Sequence, residues 1–352
     1  MRTRTARRLA IPIAIVTGLV ITAVTVTIVS ANSASDLPNR SAAQLLADMH
    51  DSDVDGLSGT LMQNADLGLP DLGDAGLAAV AAGSNQIRLW YAAPDRVRIA
   101  VLDDLGESDL IRNGADVWTW SGHSSEASHV SLPEPMADTA LWSPADGGGV
   151  TPKQAARQAL AAIEPTTEVV ADGVVRVAER DAFRLVLRPK DDASLIAELS
   201  FAIDAETGVP LRTSVIAVGH DEPSFDVAFS RVQFGVPDSQ NFHFTPPADV
   251  TVTEATDELA DWWQHGRQSA KNRFDIVGDG WSRVLVTDFD IDKFAAENAS
   301  ESEFDPRRFV TVLPSVSGDW GSGRLFTSAL LNVLITDDGK LILGSVTPQR
   351  LY

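Results

Sequence analysis

Between Gly56 and about Phe244 apolar and polar residues alternate in short runs, the period of β-strands that bury one face. In QIRLWYA, Ile87, Leu89 and Tyr91 point one way, and Arg88 and Trp90 the other. In RVRIAV, Val97, Ile99 and Val101 oppose Arg96, Arg98 and Ala100. DAFRLVLR sets Phe183, Leu185 and Leu187 against Arg184 and Arg188. In SFDVAFSRVQF the set Phe225, Val227, Phe229 resumes out of step at Val232 and Phe234, which predicts a β-bulge near Ser230 and Arg231. Turn residues at Ala93-Pro94-Asp95, Asn113-Gly114, Asp172-Gly173 and Thr207-Gly208 separate the runs. Strands so spaced predict an antiparallel meander with one apolar face.

Helical spacing interrupts this pattern. SAAQLLADMH (Ser41 to His50) predicts a short helix capped by Ser41, with Leu45, Leu46 and Met49 on one stripe. TPKQAARQALAAI (Thr151 to Ile163) carries an N-cap, a proline at the first helical position and Gln154 for a capping box. Pro70 to Ser84, rich in Ala, Leu and Gly, reads as a loop or weak helix. Beyond Thr253 the pattern changes again: Glu254 to Lys271 is helical in period and carries Trp262 and Trp263. Trp281 to Asp288 and Phe309 to Leu313 read as strands, and Leu330 to Val346 as a hairpin about Asp337-Asp338-Gly339-Lys340. The expected organisation is a β-rich domain over 41–252 and a smaller α+β domain over 253–352, sizes usual for domains.

The start of the chain is of another kind. Arg2, Arg4, Arg7 and Arg8 lead into an uncharged apolar stretch, Leu9 to Val29. A positive flank before an apolar core is how a chain is fed across a membrane with its start held inside. Residues 1–33 therefore read as a signal peptide or a single transmembrane anchor. At about 1.5 Å per residue the stretch is long enough to span a bilayer, while Ala31 and Ser33 offer a cleavage site. The remainder is expected to work outside the cytoplasm, on the periplasmic or cell-wall side of the cytoplasmic membrane, secreted or held by this segment. That compartment excludes chemistry dependent on ATP, NAD or a chromosome.

Charge and composition narrow the field further. A formal net charge of −21 repels phosphate backbones, so nucleic acid is not an expected partner. The chain has no cysteine, which removes disulfides, thiolate catalysis, Cys-ligated metals and lipidation at a cleaved terminus. DSDVDG (Asp51 to Gly56) matches the first half of an EF-hand loop, but Met62 stands where the closing Glu belongs; it reads as a helix end turning into a strand. DFDID (Asp288 to Asp292) lacks both the glycine and that Glu and reads as the solvent side of a strand end. The six histidines form no metal or general-base pattern, no GxSxG elbow is present, and GSGR (Gly321 to Arg324) reads as a turn rather than a phosphate loop. Nothing singles out a carboxylate pair of the glycosidase kind. The reading is of a protein with no catalytic residues, no metal and no cofactor. What stands out instead is Trp90, Trp118, Trp120 and Trp142 in a sheet of Val, Leu, Ile and Phe. An apolar sheet face of that size packs a second layer or holds an apolar ligand.

Three segments resemble the LolA/RseB-like superfamily. IRNGADVWTW (Ile111 to Trp120) is similar to the strand pair of LolA-type lipoprotein carriers that ends in Trp-x-aromatic. LSFAIDAETGVPLR (Leu199 to Arg212) resembles a second signature, a strand ending at Asp204, a turn through Glu206-Thr207-Gly208 and a restart at Pro210-Leu211. YAAPDRVRI (Tyr91 to Ile99) resembles a third. The resemblance covers about Ser41 to Thr253. It implies a mostly β (α+β) fold: a curved antiparallel half-barrel with covering helices over an acyl-chain cavity, followed by a small α+β domain. The implied function is non-enzymatic binding of a lipid or lipoprotein acyl chain. The alternative is an RseB-like regulator that contacts a membrane protein such as an anti-sigma factor. Expected cavity residues are Leu89, Tyr91, Val97, Ile99, Val101, Trp118 and Trp120 from the first strands. From the later ones they are Phe183, Leu185, Leu199, Phe201, Val215, Phe225, Val227 and Phe229.

Overall fold

The computed structural model describes residues 37, 39–50, 52–68, 83–102, 106–122, 126–132, 164–256, 274–297 and 306–352. The expected anchor, the helix over 151–163, nearly all of the Pro70 to Ser84 stretch, most of the 254–271 helix, and Trp142 lie outside them. Among the described residues no helix is long and apolar enough to cross a membrane.

Helix α1 (Ala42–His50) opens the described chain. Ser41 caps it reciprocally: Gln44 N donates to Ser41 Oγ (3.3 Å), and Ser41 N to Gln44 Oε1 (2.8 Å). Strands β1 (Gly56–Ala65), β2 (Gly83–Ala92), β3 (Arg96–Leu102), β4 (Glu107–Asn113), β5 (Asp116–Ser121) and β6 (Glu126–Ser131) follow as a meander. A second meander comprises β7 (Thr167–Val177), β8 (Arg180–Pro189), β9 (Ile196–Asp204), β10 (Pro210–Ala217) and β11 (Phe225–Phe234). β12 (Thr251–Glu254) joins the edge parallel to β6. Together they form one twelve-stranded, curved open sheet in the order β12-β6-β5-β4-β3-β2-β1-β11-β10-β9-β8-β7; the alternation predicts its antiparallel meanders, and the resemblance implies its curvature.

The two meanders meet where β1 pairs with β11. Thr60 lies opposite Arg231 and Leu61 opposite Phe229, so Ser230 is the extra residue of the expected bulge. The sheet curls until β7 comes back against β11. Arg180 on β8 thereby lies over the Phe234 ring of β11, 4.8 Å from its centroid. The face that carries both side chains is therefore the inner one.

A second, six-stranded sheet follows, in the order β13-β14-β18-β17-β16-β15. Its strands are β13 (Phe274–Val277), β14 (Val284–Asp288), β15 (Ser315–Gly318), β16 (Gly321–Thr327), β17 (Asn332–Thr336) and β18 (Lys340–Gly344). Helices α2 (Ile291–Glu297), α3 (Pro306–Val312) and α4 (Pro348–Leu351) complete it around a core of Val284, Leu325, Leu334, Val346 and Leu351. The expected hairpin is β17–β18. Asp290, in the acidic run, accepts from the backbone N–H groups of Asp292 (2.9 Å) and Lys293 (3.0 Å) at the start of α2.

Three sequence expectations are corrected in this region. Phe309 to Leu313 is not a strand but the end of α3 and the residue after it. Pro306 presets the first helical turn, and Phe309 and Leu313, four apart, turn inward, Phe309 against Phe326. The β-branched run that imitated a strand is accommodated because the Thr311 hydroxyl donates back to the Arg308 carbonyl at 2.8 Å. Trp281 lies outside the strand that it was expected to open, in a 3-10 turn (Gly280–Ser282), and β14 begins at Val284. Gly321 to Arg324 opens β16 rather than forming a turn.

The sheets are joined by backbone hydrogen bonds. Leu195 N donates to the Ser345 carbonyl (2.9 Å), Thr347 N to Ala193 (2.7 Å) and Ala329 N to Leu67 (3.1 Å). Leu330 packs beside Ala65, Val215 and Phe225, and Trp281 beside the residues under α1.

Candidate functional site

Residues directly opposite one another on paired strands share a face, which sorts the inner surface row by row. Leu57 faces Tyr91, which faces Val97; Leu89 faces Ile99; Leu61 lies between Ile87 and Phe229, and Ile87 faces Val101. Ala65 faces Phe225, which faces Val215, and Val227 belongs to the same set. Most of these side chains are buried and fall into three adjoining clusters. Gly59 leaves the space that the Phe229 ring fills: a Cβ there would lie 2.6 Å from it. Val175 and Val177 of β7 extend the surface round the curl.

Polar groups interrupt this surface, among them the buried Ser108 opposite Val101 and Thr213 opposite Val227. Gln63 and Asn85 face each other across β1 and β2, and Asn85 Nδ2 donates to Gln63 Oε1 at 2.6 Å. Gln63 is 0 % exposed, and its Nε2 has no partner. At the other end of the strands the buried Arg112 faces Val97, and its Nε donates to the Gly114 carbonyl at 2.9 Å. Burial lowers the Arg112 pKa, opposed by Asp95; burial raises that of the Tyr91 hydroxyl, helped by Asp53 and Asp95. At the curled edge Asp204 accepts two bonds from Arg180 (2.6 and 2.9 Å) and two from Thr207, its N–H at 2.9 Å and its hydroxyl at 2.8 Å. Burial pushes the Asp204 carboxyl up, but these bonds outweigh it and hold the group below the ordinary carboxylate range. The LSFAIDAETGVPLR segment is thus a turn nucleated by its own aspartate.

The expected cavity residues do not share one surface. Leu89, Tyr91, Val97, Ile99, Val101, Val215, Phe225, Val227 and Phe229 lie on the inner face. Trp118 and Trp120 lie on the opposite face, across from Ile111 and Asp109 and against Phe244. Phe183, Leu185 and Phe201 pack on that opposite face too, beneath Leu45 and Leu46 of α1. Leu199, beside slips in the β9–β10 pairing, reaches both sets.

The opposite face over β2–β6 is a separate polar–aromatic layer. Arg98 lies over the Trp90 ring and donates from Nε to Asp109 Oδ1 (2.7 Å) and from Nη2 to Glu107 (3.2 Å). Burial raises the Asp109 pKa, which the bonds from Arg98 only partly offset; its Oδ2 has no partner. His129 stacks on Trp118 and reaches Glu254 (2.8 Å) and Asp116 (3.1 Å). A shallow groove of 310 Å³ runs along Ser58, Trp90, Gln233 and Asn241. Among the described residues no three His, Asp or Glu side chains are grouped to hold a metal.

Sequence reasoning passed over Gln63 and Arg112. A usable signal was present for Gln63, which continues the parity of Leu57 and Leu61 and is thus a polar residue in an apolar register. Arg112 shares its strand with apolar residues on both faces, so alternation there indicates nothing.

No family model and no curated protein matches the chain. Among solved structures it is similar to MucB of Pseudomonas aeruginosa in the MucA/MucB complex, with 13% identity over 88% of this chain and 95% of that one, TM-score 0.46. A structure of MucB alone gives 15% identity over 88% and 94%, TM-score 0.44. A LolA superfamily protein from Nitrosomonas europaea gives 11% identity over 58% and 99%, TM-score 0.24.

Proposed function

We propose that the protein is a non-enzymatic binding protein of the cell envelope. It works outside the cytoplasm and holds the acyl chain of a lipid or lipoprotein against the inner face of the twelve-stranded sheet. The observation that supports this reading is the continuity of that face. Leu61, Ile87, Leu89, Ile99, Val101, Val227 and Phe229 are contributed by four neighbouring strands with the large side chains on one side. Such a surface binds by removing methylenes from water, at about 0.8 kcal/mol each. In this reading Trp118, Trp120, Phe183, Leu185 and Phe201 support the sheet from outside, and residues 41–252 and 253–352 are separate domains. The experiment is extraction of the purified full-length protein with organic solvent, followed by mass spectrometry. A stoichiometric acyl lipid is expected; a protein that carries none and takes up no fluorescent fatty-acyl probe overturns the reading.

A second reading, a regulator acting by contact with a membrane protein, is favoured by the second sheet. Its edge strand β13 leaves Ile276 65 % and Val277 54 % exposed, and Val312 at the end of α3 is 77 % exposed. Apolar side chains on an unpaired strand edge are an invitation to another chain. Capture of a membrane protein from envelope extracts that is lost with Ile276→Lys supports this reading; unchanged capture counts against it.

A further inference from the structure

Towards one end of β1, on the inner face, one hydrogen-bond donor has nothing to donate to. Gln63 is fully buried, flanked along β1 by Leu61 and Ala65 and across the sheet by Val227. Its carbonyl oxygen is taken by Asn85, which fixes the amide and leaves Nε2 directed away from that partner with no acceptor. An unpartnered buried amide is destabilising. A methionine of similar volume would fill the same place without that penalty.

We propose that Gln63 is a ligand-binding residue whose Nε2 donates to the carbonyl oxygen at the head of a bound acyl chain, as an ester or amide. This rests on the lipid-binding reading and specifies which part of the lipid is recognised, and where. The ligand atom must accept a hydrogen bond, be neutral and be joined to apolar chain, because its surroundings are apolar. A carboxylate or phosphate does not fit: a buried anion needs a paired cation. The buried cation of this face, Arg112, lies three strands across from Leu57, which is itself roughly 20 Å from Gln63 along β1 at about 3.3 Å per residue. An acyl carbonyl meets every condition. The apolar rows Leu61–Ile87–Val101 and Leu89–Ile99 then receive the chain.

The test compares two probes with the same sixteen-carbon chain and the same glycerol head, 1-palmitoylglycerol (ester) and 1-O-hexadecylglycerol (ether). Each displaces a fluorescent fatty-acyl probe from the full-length protein. The ester is expected to bind about tenfold more tightly, the worth of roughly one hydrogen bond. Gln63→Met should abolish that preference. Equal binding of the two by the native protein overturns the Gln63 assignment and leaves the acyl cavity standing. Binding of neither overturns the cavity and the assignment together. The comparison in the native protein requires no variant to fold.

Discussion

The indole N–H of Trp281, in the turn between β13 and β14 of the second sheet, donates to the hydroxyl of Thr167 at the start of β7, at 2.7 Å. Two residues 114 positions apart thus tie the smaller sheet to the larger one. The ring also packs with Phe183, Leu185 and α1, so the contact is part apolar and part polar. Trp281→Phe is expected to lower stability by about 1 kcal/mol, the net worth of one hydrogen bond. Trp281→Ala should go further and separate the unfolding of the two sheets. Urea denaturation followed by two probes checks this: coincident transitions for the native protein and Trp281→Phe, distinct ones for Trp281→Ala.

Gly208 closes the β9–β10 turn at a φ of +73°, against the carbonyl of Asp48 in α1. A methyl group there meets both a left-handed backbone and a carbonyl oxygen inside contact distance. Gly173, in β7, has nearly the same φ, +74°, with open space around it. Gly173→Ala should therefore cost only the backbone preference, about 1 kcal/mol. Gly208→Ala should cost clearly more, about 3 kcal/mol or above, because α1 must move as well. Equal shifts in the thermal midpoint would show that α1 does not rest on the turn.

Two buried aspartates paired with arginines should respond to acid in opposite ways. The folded Asp204 pKa is depressed, so its contribution to stability is complete above the unfolded value of about 3.9 and is lost as pH falls through the lower folded value. The folded Asp109 pKa is raised, so its ionised form opposes folding at neutral pH, and that opposition fades as pH falls through the folded value. Asp204→Asn is expected to lose about 2–3 kcal/mol at pH 7 and less at pH 3. Asp109→Asn should lose less at pH 7, since one oxygen of its carboxylate is unpartnered. Urea midpoints at both pH values decide.

The face assignment is open to a direct check on ligand uptake. Ile99→Trp fills the inner face and should weaken uptake of a fluorescent fatty-acyl probe about tenfold or more. Trp118→Phe, on the outer layer against Phe244 and His129, should leave uptake unchanged. A reversed outcome would move the site to the other side of the sheet.

The sheet was legible wherever a strand buries one side. The pattern of Phe225, Val227 and Phe229 located not only β11 but its bulge, because the apolar parity restarts at Val232. What alternation does not encode is the direction of curl. Trp118 and Val97 each obey the period perfectly and lie on opposite faces, and only the pairing across β3, β4 and β5 separates them. The curl depends on contacts such as Arg180 with Phe234, between residues 54 positions apart that nothing local connects. Short elements were misread for the complementary reason. In α3 the local preference for a strand is overridden by Pro306 and by two phenylalanines that meet only in the folded state.

The place of β1 sets a timetable. Its outer neighbour, β2, follows after a short interval, but its inner neighbour is β11, so Leu57 waits for Phe234. A chain that is made in sequence order therefore exposes half of the inner face before the seam that completes it exists. Joining residues so far apart is slow, and the uncovered strand edge of β1 is exposed to other chains meanwhile. The interval between synthesis of β1 and arrival of β11 is the period in which this edge is most open to wrong partners.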